Sequence, residues 1–478
     1  MPPRAYPFYL AGKAIHANAD LVVTNKYSGE PAYHAALADQ KSVDAAIEAS
    51  AHGFDQTRRL PNFRRRDILL GIAQNVTGRA EELANIVAIE VGKPIRDARA
   101  EVTRFVDTFR VAAEEATRLG GEYLPLDISS RAEGYEGLWR RFPIGPCAFI
   151  TPFNFPLNLV AHKIAPAIAA GCPFVLKPAS ATPISALVIG EILAETDWPA
   201  AAFSVLPCTA RTADAMVVDD RIKLLSFTGS PQVGWSLKAR AGRKRVVLEL
   251  GGNAACIVDE GVEVEAAADR LIVGAFYQSG QSCISVQRII VHENIYEPLK
   301  DALCDRATRL IAGDPLDERT FLGPMISTED AMRIEQWVGE AVAAGARVLC
   351  GGRREGAFYE ATILENVPRD QKISCVEAFG PVATIQSFTD FNEALQVVND
   401  GEYGLQAGVF TNNLDHAWLA FRELEVGGVI VNDVPSFRVD HMPYGGVKGS
   451  GFGREGVRYA LEEMTEMKLL VMRNVGRA

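Results

Sequence analysis

The sequence predicts an α/β protein with more than one domain. Between residues 146 and 258, short continuous apolar runs alternate with helical segments, and a second alternating pattern follows from about residue 259 to 430. Continuous apolar strands separated by helices are typical of a parallel sheet covered on both faces. The 478 residues also exceed what one hydrophobic core ordinarily serves. We therefore expect a Rossmann-like domain and a second α/β domain, with ligands at the carboxyl ends of the strands.

The elements are expected in the following order. Strand-like runs at 6–10 and 21–24 precede a stretch of helical periodicity over 42–118, in which apolar spacing indicates three amphipathic helices. Pro125, Asp127 and Gly134 punctuate residues 121–143, which favours an extended hairpin over core, with an ordinary surface loop as the alternative. The remaining predicted strands are 147–150, 174–176, 203–206, 224–227, 246–248, 289–291, 348–349, 382–385, 408–410 and 468–472, and the helices of the Rossmann-like domain are 157–170, 184–196 and 233–241.

The composition argues against several classes of binding partner. A formal net charge of -11 disfavours nucleic acid and anionic membranes, because phosphate binding needs a basic face. The eight cysteines are scattered, without C-x-x-C pairs or metal-ligand spacing to histidine, so no metal site is expected and the thiols should be reduced. No apolar segment resembles a secretory signal or a membrane span. We expect a cytoplasmic protein.

Three segments carry candidate chemistry. Cys283 follows an apolar, helix-like run and lies in a Gly/Gln/Ser-rich turn, which suits a nucleophile. Glu249 is the single carboxylate in the apolar run 246–250, where burial should raise its pKa and suit it to proton transfer. Asn154 ends another apolar run and offers an amide to a developing oxyanion. Together they indicate covalent chemistry on a carbonyl.

A phosphate site is indicated at the strand-to-helix junction 226–234. The G-x-G-x-x-G fingerprint is missing there, but Gly229, Ser230 and Gly234 surround a predicted helix start. Free amides of a helix N-terminus and the Ser230 hydroxyl can hold a phosphate, although a glycine before a helix is often only a turn.

Taken together, these motifs resemble the aldehyde dehydrogenase superfamily over nearly the whole chain. Seven pieces match in the family order: Pro152-Phe153-Asn154-Phe155-Pro156, Lys177-Pro178, Phe227-Thr228-Gly229-Ser230, Leu248-Glu249-Leu250-Gly251-Gly252, Gly280-Gln281-Ser282-Cys283, Glu377-Ala378-Phe379-Gly380-Pro381 and Pro443-Tyr444-Gly445-Gly446-Val447-Lys448.

The resemblance implies that Cys283 attacks an aldehyde and that Asn154 stabilises the oxyanion. Hydride then leaves for a nicotinamide, and Glu249 activates the water that hydrolyses the thioester. Because Glu249 is present, release of a free acid is expected rather than transfer to coenzyme A, which relatives lacking this carboxylate perform.

The resemblance also implies a cofactor site for NAD and/or NADP. It assigns Lys177 to the adenosine ribose, Ser230 to the pyrophosphate and Glu377 to the nicotinamide ribose, with Phe379 beside the nicotinamide. We further expect Thr151, Phe153, Ser180, Gly229 and Gly234 at this site. NAD-preferring relatives often carry glutamate where this chain has Ser180. Serine removes the repulsion of a 2′-phosphate, so NADP should be accepted and even preferred.

For the substrate, the family pattern places Asn158, His162, Ser282 and Arg438 near the aldehyde tunnel, along with Phe109, Tyr277 and Ile284. Arginine suits a carboxylate, phosphate or sulfonate through a bidentate contact, so a small hydroxylated or anionic aldehyde is expected, such as lactaldehyde, succinate semialdehyde or a glyceraldehyde phosphate. The alternative is that Arg438 pairs with Asp440 or another structural acid.

The implied architecture is that of the aldehyde dehydrogenase fold. Residues 1–120 and 143–250 would form the NAD(P)-binding domain, 251–457 the α/β catalytic domain, and 121–142 with 458–478 a small bridging β-sheet. Such an arm and tail strand imply a homodimer or homotetramer. The alternative functions are a cysteine-dependent esterase or thioesterase, a CoA-acylating semialdehyde dehydrogenase, and a non-catalytic binding protein on the same fold.

Overall fold

Five parallel strands, rich in buried Val, Leu and Phe, form the centre of the first sheet. The computed structural model describes residues 4–473. Antiparallel strands from elsewhere in the chain complete both edges of the sheet, which confirms the Rossmann-like prediction for this region. Across the sheet the strands run in the order Gly451–Phe452, Arg245–Glu249, Leu224–Thr228, Cys147–Ile150, Phe174–Lys177, Phe203–Val205, Phe8–Leu10 and Lys13–Ile15.

The second α/β unit is built on a seven-stranded sheet that is parallel except at the Arg347–Cys350 edge. All four strands predicted here are present, and each is longer than its apolar run suggested. The strands run in the order Arg347–Cys350, Thr362–Glu365, Val382–Phe388, Val286–His292, Ala254–Val258, Gln406–Phe410 and Gly428–Val431.

The predicted hairpin is present as the strands Gly121–Pro125 and Tyr135–Pro143, which pair antiparallel. The tail strand Thr465–Arg473 pairs with Tyr135–Pro143 over its whole length and completes a three-stranded sheet. The tail strand therefore joins its own chain's hairpin, and its outer edge stays unpaired within the described residues.

Smaller elements complete the fold. Three short strands make an N-terminal sheet, Arg4–Tyr6, Pro31–Ala35 and Leu21–Thr24, and two ribbons pair Arg354–Glu355 with Phe358–Tyr359 and Tyr403–Gly404 with Val447–Lys448. The α-helices are Gln40–Thr57, Asn62–Gly78, Ala80–Val91, Ile95–Ala116, Asn158–Ala170, Ile184–Ala194, Asp214–Val218, Pro231–Arg240, Val264–Phe276, Glu293–Thr308, Thr328–Ala343, Lys372–Cys375, Phe391–Asn399, Leu414–Glu423 and Val457–Glu463. Single 3₁₀ turns occur at Ser130–Ala132, Ala200–Ala202 and Tyr277–Gly280.

The N-terminal helical region holds four helices where apolar spacing predicted three. The additional helix, Ile95–Ala116, starts directly after Pro94 and buries Phe105 and Phe109, whose rings stack at 4.6 Å between centroids. Proline before a first helical turn fixes the backbone for helix entry, so Gly92 and Pro94 divide what reads as one periodic stretch.

Residues 451–452 already belong to the first sheet, although the sequence assigned residues up to 457 to the catalytic domain. Strand Gly451–Phe452 pairs with Arg245–Glu249, and helix Val457–Glu463 buries Val457 and Leu461 in the core of the first sheet. A strand of two residues has no apolar run of its own, so this pairing leaves no local signal in the sequence.

No helix among residues 4–473 combines the length and the apolar character that a membrane crossing requires.

Candidate active site

Cys283, Glu249 and Asn154, the three candidates from the sequence, line one cavity of about 1040 Å³. Asn154 follows the strand Cys147–Ile150, and Glu249 ends the strand Arg245–Glu249. The cavity therefore opens at the carboxyl ends of parallel strands, where α/β sheets bind ligands.

The turn that carries Cys283 is strained and held by side chains. Gln278, Ser279 and Gly280 have left-handed φ values of 51°, 54° and 67°. The Ser279 hydroxyl donates to the Gly323 carbonyl at 2.7 Å, and the Gln278 amide donates to the Asn154 carbonyl. A Cβ on Gly280 would lie 2.1 Å from the Gly380 carbonyl oxygen, so only glycine fits there. Such strain is retained where surrounding contacts fix a functional side chain.

The pKa values of Cys283 and Glu249, the candidate nucleophile and base, are both raised. Burial raises the pKa of the Cys283 thiol to about 12. Burial, reinforced by the nearby Glu455 carboxylate, raises the pKa of Glu249 well above its ordinary value. Neither carboxyl oxygen of Glu249 has a hydrogen-bond partner among the described residues, which leaves both oxygens available to water or substrate.

Asn154 is fixed with one amide hydrogen to spare. Its Nδ2 donates to the Gln281 carbonyl at 3.0 Å, which orients the amide toward the Cys283 turn. An amide nitrogen carries two hydrogens, so the second can donate to an oxyanion that forms on a substrate bonded to sulfur.

One side of the cavity fits a dinucleotide phosphate. Helix Pro231–Arg240 begins at the Ser230 N-cap, and Gly229 and Ser230 line the cavity. The side-chain hydroxyls of Thr228 and Thr151 are buried without hydrogen-bond partners in the described part of the chain. Free helix amides beside unpaired hydroxyls provide the donor set that phosphate and ribose oxygens require.

The predicted nicotinamide-side residues also meet here. Phe379 and Phe153 line the cavity and pack edge to face, with ring centroids 5.7 Å apart. Glu377 accepts from the Gly252 amide at 3.0 Å, and burial raises the pKa of Glu377 to about 7. A Cβ on Gly251 would lie 2.2 Å from a Glu377 oxygen, which explains a glycine at this position.

Four predicted cofactor residues lie outside this cavity wall, namely Thr151, Lys177, Ser180 and Gly234. Lys177 ends strand Phe174–Lys177, where its carbonyl accepts from the Thr151 amide at 3.1 Å. Ser180 is exposed in the turn that follows this strand. Gly234 is buried, and a Cβ there would meet a Leu250 methyl at 2.4 Å, so its immediate role is close packing of helix on strand.

The opposite end of the cavity holds a charged cluster that sequence reasoning found only in part. Asn158, His162 and Arg438 were predicted and line the cavity. Arg104 and Glu455 line it too, and Lys163 and Asp440 bond to members of this group. We call these side chains the cavity cluster: Arg104, Asn158, His162, Lys163, Arg438, Asp440 and Glu455.

The alternative for Arg438, pairing with Asp440 or another structural acid, is met by the other acid, because Arg438 pairs with Glu455 and not with Asp440. Arg438 instead donates to His162 Nδ1 at 3.0 Å and to Glu455 at 3.2 Å. Asp440 lies 2.7 Å from His162 Nε2 and 2.8 Å from Arg104. The two ring nitrogens of His162 therefore bridge Asp440 on one side and the Arg438–Glu455 pair on the other.

Both carboxylates of the cavity cluster are ionised. Burial opposes their charge, but Lys163, His162 and Arg438 hold the pKa of Glu455 well below its usual value. His162 and Arg104 likewise lower the pKa of Asp440. The cavity cluster therefore holds three basic side chains and two carboxylates, one basic group in excess. Glu249, which lies outside the cluster on the same cavity, also interacts with Arg438 and Lys163.

The other predicted tunnel residues divide into two groups. Ser282, Ile284 and Tyr277 line the cavity, and the Tyr277 ring stacks on Phe155 at 6.4 Å. Phe109 does not line it, because its side chain is wholly buried in the core against Phe105. Tyr444, whose hydroxyl lies 3.2 Å from the Cys283 sulfur, appeared in the sequence only as part of a motif.

Comparison with known proteins agrees with this geometry. The profile of the aldehyde dehydrogenase family matches residues 15–470. The chain is 43% identical over 470 residues to 3-sulfolactaldehyde dehydrogenase of Priestia aryabhattai, covering 98% of each chain.

Two solved structures are also similar. Aldehyde dehydrogenase 21 from Physcomitrella patens, in complex with the reaction product succinate, is 50% identical, with a TM-score of 0.98 and full coverage of both chains (100% each). Glyceraldehyde-3-phosphate dehydrogenase GapN from Methanocaldococcus jannaschii, complexed with NADP, is 38% identical, with a TM-score of 0.92 over 96% of this chain and 100% of that one. The chain belongs to the aldehyde dehydrogenase family and is an NAD(P)-dependent aldehyde dehydrogenase.

Proposed function

We propose that the protein oxidises a small anionic aldehyde to its carboxylic acid, with Cys283 as nucleophile. The Cys283 sulfur bonds to the aldehyde carbon while the spare Asn154 N–H donates to the carbonyl oxygen as that oxygen gains negative charge. NAD(P)+, when bound, supplies the hydride acceptor that converts the thiohemiacetal on Cys283 to a thioester.

Glu249 is proposed to act in the second half of the reaction. Its carboxyl group is buried and without hydrogen-bond partners in the described structure, and its pKa is raised. A carboxylate of raised pKa is a stronger base, so it can take a proton from water as that water attacks the thioester. The acid then leaves and the Cys283 thiol is regenerated.

For the cofactor, we propose that NADP is accepted and preferred. Ser180 is exposed in the turn three residues after Lys177, so a 2′-phosphate bound at this turn would meet a hydroxyl donor in place of a carboxylate. The ratio of kcat/KM with NADP to that with NAD tests this proposal, and near-zero activity with NADP would contradict it.

The excess basic group of the cavity cluster is the observation that carries the substrate proposal. Arg104 and Arg438 line the cavity, yet the cluster's two carboxylates also balance Lys163, so one basic group remains for a ligand. A carboxylate or sulfonate on the substrate would complete this balance inside a water-poor cavity, where charge pairing is strong.

The comparisons support an anionic group. One relative is named for an aldehyde that carries a sulfonate, and one structural neighbour holds the dicarboxylate succinate as reaction product. Succinate semialdehyde and 3-sulfolactaldehyde are therefore the substrates we propose first. 3-Sulfolactaldehyde carries a sulfonate in place of the carboxylate and also a hydroxyl, and we propose that this hydroxyl contacts Asn158 and Ser282 in the cavity wall.

The experiment compares succinate semialdehyde with butanal, its uncharged counterpart of equal chain length, in Arg438→Leu. A hydrogen bond to a charged group contributes roughly 1.5–3 kcal/mol, so KM for the anionic aldehyde should rise about tenfold or more relative to KM for butanal. Arg270→Leu is the matched control, because Arg270 lines the same cavity but is neutralised by Asp433 at 2.8 and 3.1 Å. Equal losses for both aldehydes in Arg438→Leu would contradict an anion-binding role.

We also propose that the chain works as a homo-oligomer in the cytoplasm. The tail strand is an open sheet edge with exposed Met467, Leu469 and Leu470, which suits a protein contact. All eight cysteines are free, in keeping with a reducing compartment. Light scattering during size-exclusion chromatography of the purified protein tests the homo-oligomer proposal, and a monomeric mass would contradict it.

A further inference from the structure

The Tyr444 hydroxyl contacts the sulfur of Cys283 at 3.2 Å. Tyr444 is 3% exposed, and its backbone amide and carbonyl both bond to the backbone of Glu455. Its ring packs with Ile284 and Leu405, so the position of the phenol is fixed before any substrate binds.

Arg438 covers one face of the Tyr444 ring. The guanidinium carbon lies 3.6 Å from the ring centroid, which is a close cation–π stack. A cation on the ring face withdraws electron density from the phenol, so the O–H becomes a stronger hydrogen-bond donor. The stack is itself held, because Arg438 is bonded to Glu455 and His162.

The sulfur needs such a donor. Burial raises the pKa of the Cys283 thiol, and the groups that face it act in both directions: Tyr444 and Arg438 favour the thiolate, and Glu377 and Glu249 oppose it. Tyr444 makes the largest favourable contribution. Burial also raises the pKa of Tyr444 well above its usual value, so its own proton stays in place.

We infer that Tyr444 is a further catalytic residue, whose hydroxyl donates a hydrogen bond to the Cys283 sulfur and stabilises the attacking thiolate. This inference rests on the proposed role of Cys283 as nucleophile. The thiol proton leaves for the Glu249 carboxylate or for water, the S–C bond forms as the carbonyl π bond opens, and the Tyr444 O–H bond stays intact throughout. Once sulfur is bonded to carbon it is a poorer acceptor, which frees the hydroxyl to turn toward the bound substrate.

The test measures alkylation of Cys283 by iodoacetamide across pH 7–9 in the protein without cofactor, with the modified residue located by mass spectrometry. Tyr444→Phe removes only the hydroxyl and keeps the ring under Arg438. Loss of a hydrogen bond to a charged group should raise the thiol pKa by about one unit or more. Because a thiolate of higher pKa is also more nucleophilic, we expect a net rate about threefold or more below wild type at each pH.

Tyr359→Phe is the matched control. The Tyr359 hydroxyl is buried without a hydrogen-bond partner in the described structure and packs in a separate core cluster, so its removal should leave alkylation at the wild-type rate. Alkylation in denaturant should be equal for all three proteins, and matching thermal transitions would exclude misfolding of the variant.

The outcomes separate this inference from the proposed function. Slower alkylation of Cys283 with a parallel fall in kcat/KM supports the role of Tyr444. An equal or faster rate in Tyr444→Phe would overturn it, because the sulfur would then be the donor or the contact would be passive. Turnover retained in Cys283→Ala would instead overturn the proposed nucleophile, whatever Tyr444 does.

Discussion

Removing the Asn154 side chain tests how much of the reaction depends on one hydrogen bond. Of the two Nδ2 hydrogens, one is donated to the Gln281 carbonyl at 3.0 Å and one remains for the oxyanion. Loss of one such donor typically costs a factor of about 10²–10³ in rate, or roughly 3–4 kcal/mol of transition-state stabilisation. We therefore expect Asn154→Ala to slow formation of the thioester by about that factor.

The turn that carries Cys283 should survive this substitution. Gln278 binds the backbone carbonyl of residue 154, which alanine retains, and Ser279 remains bonded to Gly323. Alkylation of Cys283 should therefore proceed at the wild-type rate in the variant. Asn154→Asp is the matched variant, because it keeps the shape and removes the donor, and its rate should fall at least as far.

The assay is a single-turnover measurement of nicotinamide reduction, since steady-state turnover can be limited by thioester hydrolysis and would then conceal the effect. A hydride-transfer rate within about threefold of wild type in both variants would refute the oxyanion role, given the size expected for a lost donor. Slow alkylation together with slow hydride transfer would point instead to a displaced nucleophile.

Three further substitutions give separate tests. In Gly445→Ala the new Cβ would lie 2.8 Å from the Gly453 carbonyl oxygen and 3.0 Å from a Glu249 oxygen, so the backbone must shift beside Glu249 and acid release should fall about a hundredfold while the first hydride transfer persists; wild-type turnover would contradict this placement. Asp440→Asn should lower the free energy of unfolding by roughly 3 kcal/mol at pH 7, because it removes the negative charge that faces Arg104 and His162. The folded-state pKa of Asp440 is depressed, so its contribution to the free energy of unfolding is fully present above the unfolded pKa of about 3.9 and is lost progressively as pH falls from there through the lower folded pKa; a stability gap that does not shrink over that range would contradict the pairing. Ser180→Glu should lower kcat/KM with NADP by roughly tenfold and spare NAD, as like charges meet near the 2′-phosphate; an equal change with both cofactors would exclude Ser180 from that site.

The three proposed catalytic residues stand out in the sequence because each follows a local pattern. Asn154, Glu249 and Cys283 each terminate or interrupt an apolar run, and parallel strands bring such ends to one edge. The hairpin and the tail strand were likewise predicted from local sequence alone. Register and length were less visible, because strand ends are set by pairing with neighbours rather than by the strand's own residues.

The cavity cluster was predicted only in part because its contacts are long in sequence. Arg104 and Asp440 are separated by 336 positions, and no periodicity marks either one. Asn158 and His162 were expected here from the family resemblance, whereas the ionic partners of Arg438 required the fold. For the same reason the two-residue strand at Gly451–Phe452, which pairs with the first sheet, escaped prediction.

Trapping the covalent intermediate tests the central claim most directly. Glu249→Gln removes the proposed base but keeps the side chain's size, so a protein incubated with succinate semialdehyde and NADP should reduce about one equivalent of cofactor and then stop. Mass spectrometry of the quenched protein should place the acyl group on the peptide that contains Cys283. Continued turnover, or an acyl group on another cysteine, would contradict the assignment of Cys283 and Glu249.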